Sequence, residues 1–363
     1  MLKNSLAVLM LGVALCGAGV VNAEDKVLST KMQYLTRAAC LEAQGDIHRL
    51  KEVFAQAIEH KVDLSSLKEA MSQLYAYTGF PRSLNATNAL REVSEELAGK
   101  GVEVDEGKDA APYPKDYDAL KEGTAVQTKL SGKPFDYTFS PALNYYLKAH
   151  LFGDIFKRDT LTPAERELVT VSALSGLRGV PSQLKSHVRG ALNMGVTQEQ
   201  LDELAVLLAD KVGRNEALRL RQAMGKEEGV PADALKFPLG QENVNYSKYF
   251  IGKSYLAPLA SGEGKLPVHN VTFEPGCRNN WHIHHKGGQI LICVSGRGWY
   301  QQEGMDPIEL REGTVVDIPA EVKHWHGAAK DSYFQHIALG VPAEGASTTW
   351  LEAVSDEEYQ KLP

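Results

Sequence analysis

Two short segments constrain the fold most strongly, because four of the chain's eleven histidines lie in them at i, i+2 spacing. His282 and His284 lie in the first segment, and His324 and His326 lie in the second. Residues at positions i and i+2 of a strand point to the same side of a sheet. A carboxamide, Gln289, follows His284 at close spacing. We therefore predict a metal site with ligands His282, His284, Gln289 and His324. Neutral imidazole suits a divalent ion such as manganese, iron, zinc or nickel.

The spacing of both segments resembles that of the cupin family. The first has the pattern Gly276-x5-His282-x-His284-x4-Gln289-x6-Gly296, and we expect a tight turn at its final glycine. The second has the pattern Gly313-x5-Pro319-x-Glu321-x2-His324. The resemblance implies a β-barrel of jelly-roll type, with the same four ligands. Many cupins have glutamate where Gln289 stands. An uncharged amide leaves more positive charge on the metal, which favours Lewis-acid chemistry over a high oxidation state.

The N-terminus has the features of a secretory signal peptide, which we assign to residues 1–23. Lys3 supplies the positive start, an apolar run follows from Leu6 to Val21, and Ala23 closes a small-residue cleavage site. We expect a periplasmic or secreted protein that has no membrane association after cleavage. The net charge of -7 and the pI of about 5.9 give no reason to expect a nucleic-acid partner.

The hydrophobic pattern divides the rest of the chain into an α-helical part and an all-β part. Apolar residues recur at helical spacing over residues 30–235, and short alternating runs begin near residue 245. We predict a first helical repeat at residues 24–110 and a second at 136–230, with a linker at 111–135 between them. A second linker at 231–245 leads to a cupin barrel at 246–350, and a C-terminal tail follows at 351–363. Cys277 and Cys293 form either a disulfide bridge or two buried thiols.

The helical part contains an internal repeat. Leu50, Ala57 and Leu67 match Leu184, Ala191 and Leu201 at one constant offset. Two such copies pack as a pseudo-two-fold pair and share a core. The run Arg166-Glu167-Leu168, followed by Gln183-Leu184-x-x-His187-x-x-x-Ala191, resembles the carboxymuconolactone decarboxylase family. Members typically form rings of six such units, so the resemblance implies a homotrimer of this chain.

The helical half either has an active site of its own or serves as a scaffold. Related thiol peroxidases of the alkyl-hydroperoxidase-D type carry a CxxC motif before the histidine. Here Val180 and Gln183 take the cysteine positions, so thiol peroxidase chemistry would lack the sulfur that it uses. A composite site would use Glu167 and His187 as acid and base. The alternative is a helical half that only trimerises the barrel.

Three further histidines are candidate catalytic residues of the barrel. His326 either enters the barrel as a general base or faces solvent from a loop. His269 and His336 either line the pocket from an early and a late strand or lie at the surface. We expect Trp325 to point away from the pocket, and Arg278 to be a solvated charge.

The combination of Gln289 with the Lys323-His324-Trp325-His326 run resembles a cupin branch that includes manganese-dependent hydroxynitrile lyases. This resemblance implies cleavage of a cyanohydrin, with His326 as the base and His269 beside the substrate. We therefore expect a metal-dependent lyase or decarboxylase-like enzyme with a small-molecule substrate. The alternatives are a cupin dioxygenase and a non-catalytic protein that binds or senses a small ligand.

Overall fold

A computed structural model of the protein describes residues 27–260, 262 and 266–362. The predicted signal peptide lies outside these residues and stays a prediction. None of the described helices is long and apolar enough to cross a membrane.

Four helices form the first helical repeat: α1 (Thr30–Gln44), α2 (Ile47–Glu59), α3 (Leu64–Thr78) and α4 (Phe80–Gly99). Asp46 caps α2 and Asp63 caps α3, and each carboxylate accepts a hydrogen bond from a backbone N–H of the first turn. Leu35, Phe54 and Leu67 are fully buried between these helices. The apolar spacing of the sequence therefore forms the core of this repeat.

The second repeat consists of α6 (Pro141–Tyr145), a π-helical continuation (Tyr146–Ile155), α7 (Pro163–Gly176), α8 (Pro181–Asn193), α9 (Gln198–Lys211) and α10 (Arg214–Ala223). Helices α7 to α10 correspond one to one to α1 to α4, at the constant offset found in the sequence. Helix α1 packs against α7, and one continuous hydrophobic core takes side chains from both repeats. The repeats therefore pack as a pair, as predicted.

The structure differs from the sequence analysis in the segment 111–135, which contains a packed helix, α5 (Ala119–Ser131). The Asp118 side chain caps its first turn, and Leu130 is buried in a cluster with Phe152 of the π-helical segment. Gly123 allows the close approach, since a Cβ there would lie 1.7 Å from the Lys148 carbonyl oxygen. This segment is therefore part of the helical core.

The barrel contains twelve strands in the described part of the chain: β1 (Gln241–Glu242), β2 (Phe250–Ile251), β3 (Ser254–Ala260), β4 (Val268–Phe273), β5 (Arg278–Asn279), β6 (His282–His285), β7 (Gln289–Gln302), β8 (Ile308–Arg311), β9 (Val315–Ile318), β10 (Lys323–Ala328), β11 (Phe334–Gly340) and β12 (Ser347–Trp350). Antiparallel pairing gives one sheet in the order β1-β3-β4-β11-β7-β9. The second sheet joins β8, β7, β10, β6 and β12, with β5 and β2 at the other end of β10. This is the expected jelly-roll arrangement.

The expected tight turn at Gly296 is wrong, because this glycine lies inside the continuous strand β7. The first half of β7 pairs with β11, and the second half pairs with β10 in the other sheet. Gly296 has φ of 74° and lies against the Tyr333 carbonyl oxygen, where a Cβ would clash. The glycine therefore makes the corner at which β7 passes from one sheet to the other.

The join at 231–245 is ordered and contacts the barrel. The backbone N–H groups of Lys236 and Phe237 donate to the Gln335 side-chain oxygen, and Gln241 and Glu242 form the short strand β1. Arg219 of α10 binds Asp233 from the helical side. The join therefore attaches to both parts through partly buried polar contacts.

The C-terminal residues cover the outer face of the barrel, and this corrects the prediction of a solvated Arg278. Helix α11 (Asp356–Gln360) places the Tyr359 ring over the Arg278 guanidinium at 4.3 Å. Arg278 is 3% exposed and donates to the Val354 carbonyl oxygen. Trp325 points away from the pocket, as expected, and is buried beneath Tyr359. The tail therefore closes a second hydrophobic cluster on the barrel.

Both cysteines of the barrel are free thiols in the structure. Cys277 and Cys293 are buried in the hydrophobic cluster between the two sheets. Burial raises the pKa of each thiol to about 12. The structure thus favours two inert core thiols over a bridge.

Candidate metal centre and cavity

Three imidazoles meet at the centre of the barrel. His282 and His284 come from β6 and His324 comes from β10, where it lies directly opposite His282 in the antiparallel register. The nitrogen atoms that they offer all lie within 4.8 Å of one another. His282 and His324 are buried and His284 is half-buried. The i, i+2 spacing therefore brings the predicted histidines together.

Hydrogen bonds at Nδ1 orient the three rings. The His282 Nδ1 atom lies 2.9 Å from the Asn280 carbonyl oxygen, and the His324 Nδ1 atom lies 2.9 Å from that of Val322. A carbonyl oxygen only accepts, so each Nδ1 carries the proton and leaves the lone pair at Nε2. The His284 Nδ1 atom lies 3.0 Å from the Thr348 hydroxyl, which can donate or accept and therefore orients this ring without assigning its proton. The two carbonyl contacts fix His282 and His324 in the tautomer that binds a metal through Nε2.

The free ends of these side chains fit a cation. His284 Nε2, His324 Nε2 and Gln289 Oε1 are buried and have no hydrogen-bond partner in the described part of the chain. Gln289 begins β7 and its side chain lies beside His284. Buried acceptors without partners are rare in proteins, and an ion bound between them would satisfy all three. The predicted donor set of three imidazoles and one amide is therefore assembled and suggests a divalent metal site.

Burial keeps the histidines neutral. It lowers the pKa of His324 to about 4, and it lowers the pKa of His282 well below the ordinary value, with the nearby His324 as a second cause. Burial also lowers the pKa of His284. At neutral pH all three imidazoles are therefore in the form that binds a metal.

A cavity of about 230 Å³ opens beside His282, His284 and Gln289. His326 lines it, is 5% exposed and lies on the pocket side of β10, so the orientation into the barrel is the one observed. His336 of β11 lines it as well, with its ring stacked on Phe273. His269 of β4 lines the same cavity in a half-buried position. All three candidate histidines therefore share one pocket.

Residues that the sequence analysis did not select complete the cavity. Trp350 of β12 lies 4.7 Å from the His282 ring and stacks on Tyr249 at 4.7 Å. Asn279 of β5 is 2% exposed and hydrogen-bonds His326. Single residues on strand ends have no spacing pattern that would have identified them. The Val271, Ala338 and Leu256 side chains make the remaining wall apolar, which suits a small substrate with few polar groups.

The helical half brings Glu167 and His187 together, as the composite site requires. The His187 Nδ1 atom lies 2.9 Å from a Glu167 carboxylate oxygen, and Glu167 is fully buried. Tyr77 of the first repeat meets the His187 ring edge-on at 5.4 Å. The Tyr77 hydroxyl and the second Glu167 oxygen are buried without a partner among the described residues. Both repeats therefore contribute to one polar cluster.

Comparison with known proteins agrees with this organisation. Residues 269–338 match the cupin domain. The chain is 44% identical over 115 residues to the "(R)-mandelonitrile lyase" of Granulicella tundricola, an alignment that covers 31% of this chain and 87% of that protein. The chain belongs to the cupin family. A cupin-like protein of known structure from Thermotoga maritima is 39% identical, with a TM-score of 0.33, and the match covers 35% of this cupin chain and 96% of that one.

The helical half has relatives of its own. Residues 141–225 match the carboxymuconolactone decarboxylase family. The chain is 26% identical over 125 residues to the "4-carboxymuconolactone decarboxylase" of Acinetobacter baylyi, which covers 32% of this chain and 92% of that protein. This cupin therefore carries a carboxymuconolactone decarboxylase family domain before its barrel.

Proposed function

We propose that this cupin is a metal-dependent lyase that cleaves a carbon–carbon bond in a small oxygenated molecule of the cyanohydrin class. The observation that carries the proposal is the cluster of three imidazoles and the Gln289 amide, of which His282, His284 and Gln289 line a small cavity with further buried histidines. The relative named a mandelonitrile lyase is 44% identical over 115 residues and supports the reaction class.

The residues divide the work between binding an ion and handling the substrate. His282, His284, Gln289 and His324 would hold manganese, iron, zinc or nickel, and the bound ion would supply Lewis-acid polarisation of the substrate oxygen. The apolar wall, including Val271 and Ala338, excludes water from the substrate. The cavity histidines His269, His326 and His336 provide the groups that exchange hydrogen bonds and protons with it.

Metal reconstitution tests this function directly. Full-length protein loaded with each of the four ions should release aldehyde from mandelonitrile, and the His282→Ala variant should not. The rate should be equal in air and under nitrogen, because a lyase consumes no oxygen. Oxygen uptake that accompanies turnover would instead support a dioxygenase. Tight binding of cyanohydrins without cleavage by any loaded form would support a binding protein.

A second function, in the helical half, is favoured by the Glu167–His187 contact. A buried carboxylate can orient a histidine so that the other nitrogen of the imidazole ring exchanges a proton with a substrate. We infer an acid–base site here, with Tyr77 as a neighbouring hydroxyl. His187→Ala should then abolish an activity that the metal-site variant His282→Ala retains. If His187→Ala changes no reaction of the protein, the helical half is a scaffold.

We also propose export and trimer formation. The charged and apolar N-terminal residues support cleavage after Ala23, so the mature protein should begin at Glu24. The exposed aromatic side chains Phe139, Tyr145 and Tyr146 support an interface on the helical half. N-terminal sequencing of the periplasmic fraction and light scattering of the purified protein test these two points.

A further inference from the structure

Asn279 and His326 form a pair of hydrogen bonds that determines where the His326 proton lies. The backbone N–H of His326 donates to Asn279 Oδ1 at 2.9 Å. A backbone N–H only donates, so the oxygen of the Asn279 side chain must be on this side. The other end of the amide is then the NH2 group, which lies 3.0 Å from His326 Nε2.

An amide NH2 group only donates, so His326 Nε2 must accept. A neutral imidazole carries one proton, which must therefore lie on Nδ1. From this geometry, we propose that Asn279 is a positioning residue that holds His326 as an Nδ1–H hydrogen-bond donor in the cavity. The inference rests on the proposed lyase function for its catalytic meaning, but the tautomer itself follows from the two contacts.

The surroundings of Nδ1 leave this donor available to a substrate. The atom is buried, and no hydrogen-bond acceptor of the described chain reaches it. The His336 ring lies edge-on to His326 at 5.0 Å, and Phe273 lies edge-on at 5.8 Å. A buried N–H without an acceptor is unfavourable, and a substrate oxygen or nitrogen in the cavity would satisfy it. His326 and Asn279 both line that cavity.

The fixed tautomer changes the role that the sequence analysis gave to His326. With Nε2 engaged by Asn279 and a proton already on Nδ1, the ring has no free lone pair to take a proton from the substrate. It instead stabilises negative charge that develops on the substrate, as a neutral imidazole donor does in other enzymes. The role of proton acceptor then passes to His336 or His269, which line the same cavity.

Nitrogen NMR tests the tautomer without any assay of activity. In zinc-loaded or metal-free protein labelled with 15N-histidine, the signals that disappear in His326→Gln identify His326. Long-range couplings should show a protonated Nδ1 and an unprotonated Nε2. In Asn279→Asp the carboxylate still accepts from the backbone N–H but cannot donate, so the proton should be found on Nε2. A protonated Nε2 in the wild type, or the same pattern in both proteins, would overturn the inference.

Kinetics test whether the tautomer matters for turnover. Asn279→Asp should lower kcat by about 100-fold with KM and metal content nearly unchanged, which is the scale for loss of one preorganised donor. Asn85→Asp, at an exposed site on α4 of the helical half, makes the same charge change away from the cavity and should keep wild-type rates. An unchanged kcat in Asn279→Asp would remove His326 from this role. If the wild type cleaves no cyanohydrin at all, the proposed function fails while the NMR result still decides the tautomer.

Discussion

Changing Gln289 to glutamate separates metal affinity from Lewis acidity. The substitution keeps the shape of the side chain and replaces a neutral ligand by a charged one. Gln289 Oε1 is buried and without a partner in the described residues, so a carboxylate there gains no protein hydrogen bond and a bound ion would neutralise its charge. Two unit charges 4 Å apart attract by about 4 kcal/mol at an effective dielectric constant of about 20, and a divalent ion doubles this.

The cost of burying the carboxylate cancels most of that attraction. We expect a net gain of about 1.4 kcal/mol, which is roughly tenfold tighter metal binding. The added negative charge also reduces the polarising power of the ion, so kcat should fall by roughly tenfold. The two effects have opposite signs, whereas simple damage to the site would lower both affinity and rate.

Competition with a fluorescent chelator measures the affinity, and initial rates on mandelonitrile measure turnover. Gln289→Ala removes the ligand and should lower both quantities. Gln241→Glu makes the same charge change at an exposed position and should alter neither. Tighter binding with an unchanged or higher kcat in Gln289→Glu would refute the argument that an uncharged ligand serves Lewis-acid chemistry.

Three further predictions concern stability and assembly. Burial raises the pKa of Glu42 to about 7 from 4.5, because the fold favours the protonated side chain. This contribution to the free energy of unfolding is fully present below pH 4.5 and is lost as the pH rises through 7. Glu42→Gln should therefore unfold like the wild type near pH 4 but be more stable by up to about 3 kcal/mol near pH 8, by urea titration. Tyr359→Ala should destabilise the barrel by about 3–5 kcal/mol in calorimetry, because Tyr359 is 2% exposed and its hydroxyl donates to the Ala328 carbonyl oxygen. Phe139→Asp, at a side chain that is 92% exposed, should convert the predicted trimer to smaller species in light scattering without lowering the melting temperature. An unchanged trimer would place the interface elsewhere.

The sequence predicts the cluster of three histidines well because its information is local. Two histidines at i and i+2 on β6 must share a face, and strand pairing brings His324 opposite His282. The change from helical to alternating periodicity likewise separates the helical half from the barrel. These features depend on the spacing of residues within single helices and strands, and this spacing can be read from the sequence without knowledge of the tertiary fold.

The remaining features depend on contacts between distant segments. Arg278 is buried only because α11 returns to cover it. Gly296 could be either a turn or a corner within a strand, and pairing with both β10 and β11 decides between them. Asn279 gives no pattern in the sequence, since its importance comes from His326 on another strand. Burial and partners of this kind follow from the tertiary fold and not from local spacing.

The metal content of the full-length protein, purified without a metal-binding tag, shows whether the three imidazoles and the Gln289 amide bind an ion. Elemental analysis should find about one divalent first-row ion per chain, the number that one set of three imidazoles and an amide can hold. The His324→Ala variant, in which one buried ligand is missing, should lose the ion while its helical half stays folded. Wild-type protein that carries no metal yet cleaves cyanohydrin at the same rate before and after chelation would contradict a metal-dependent lyase.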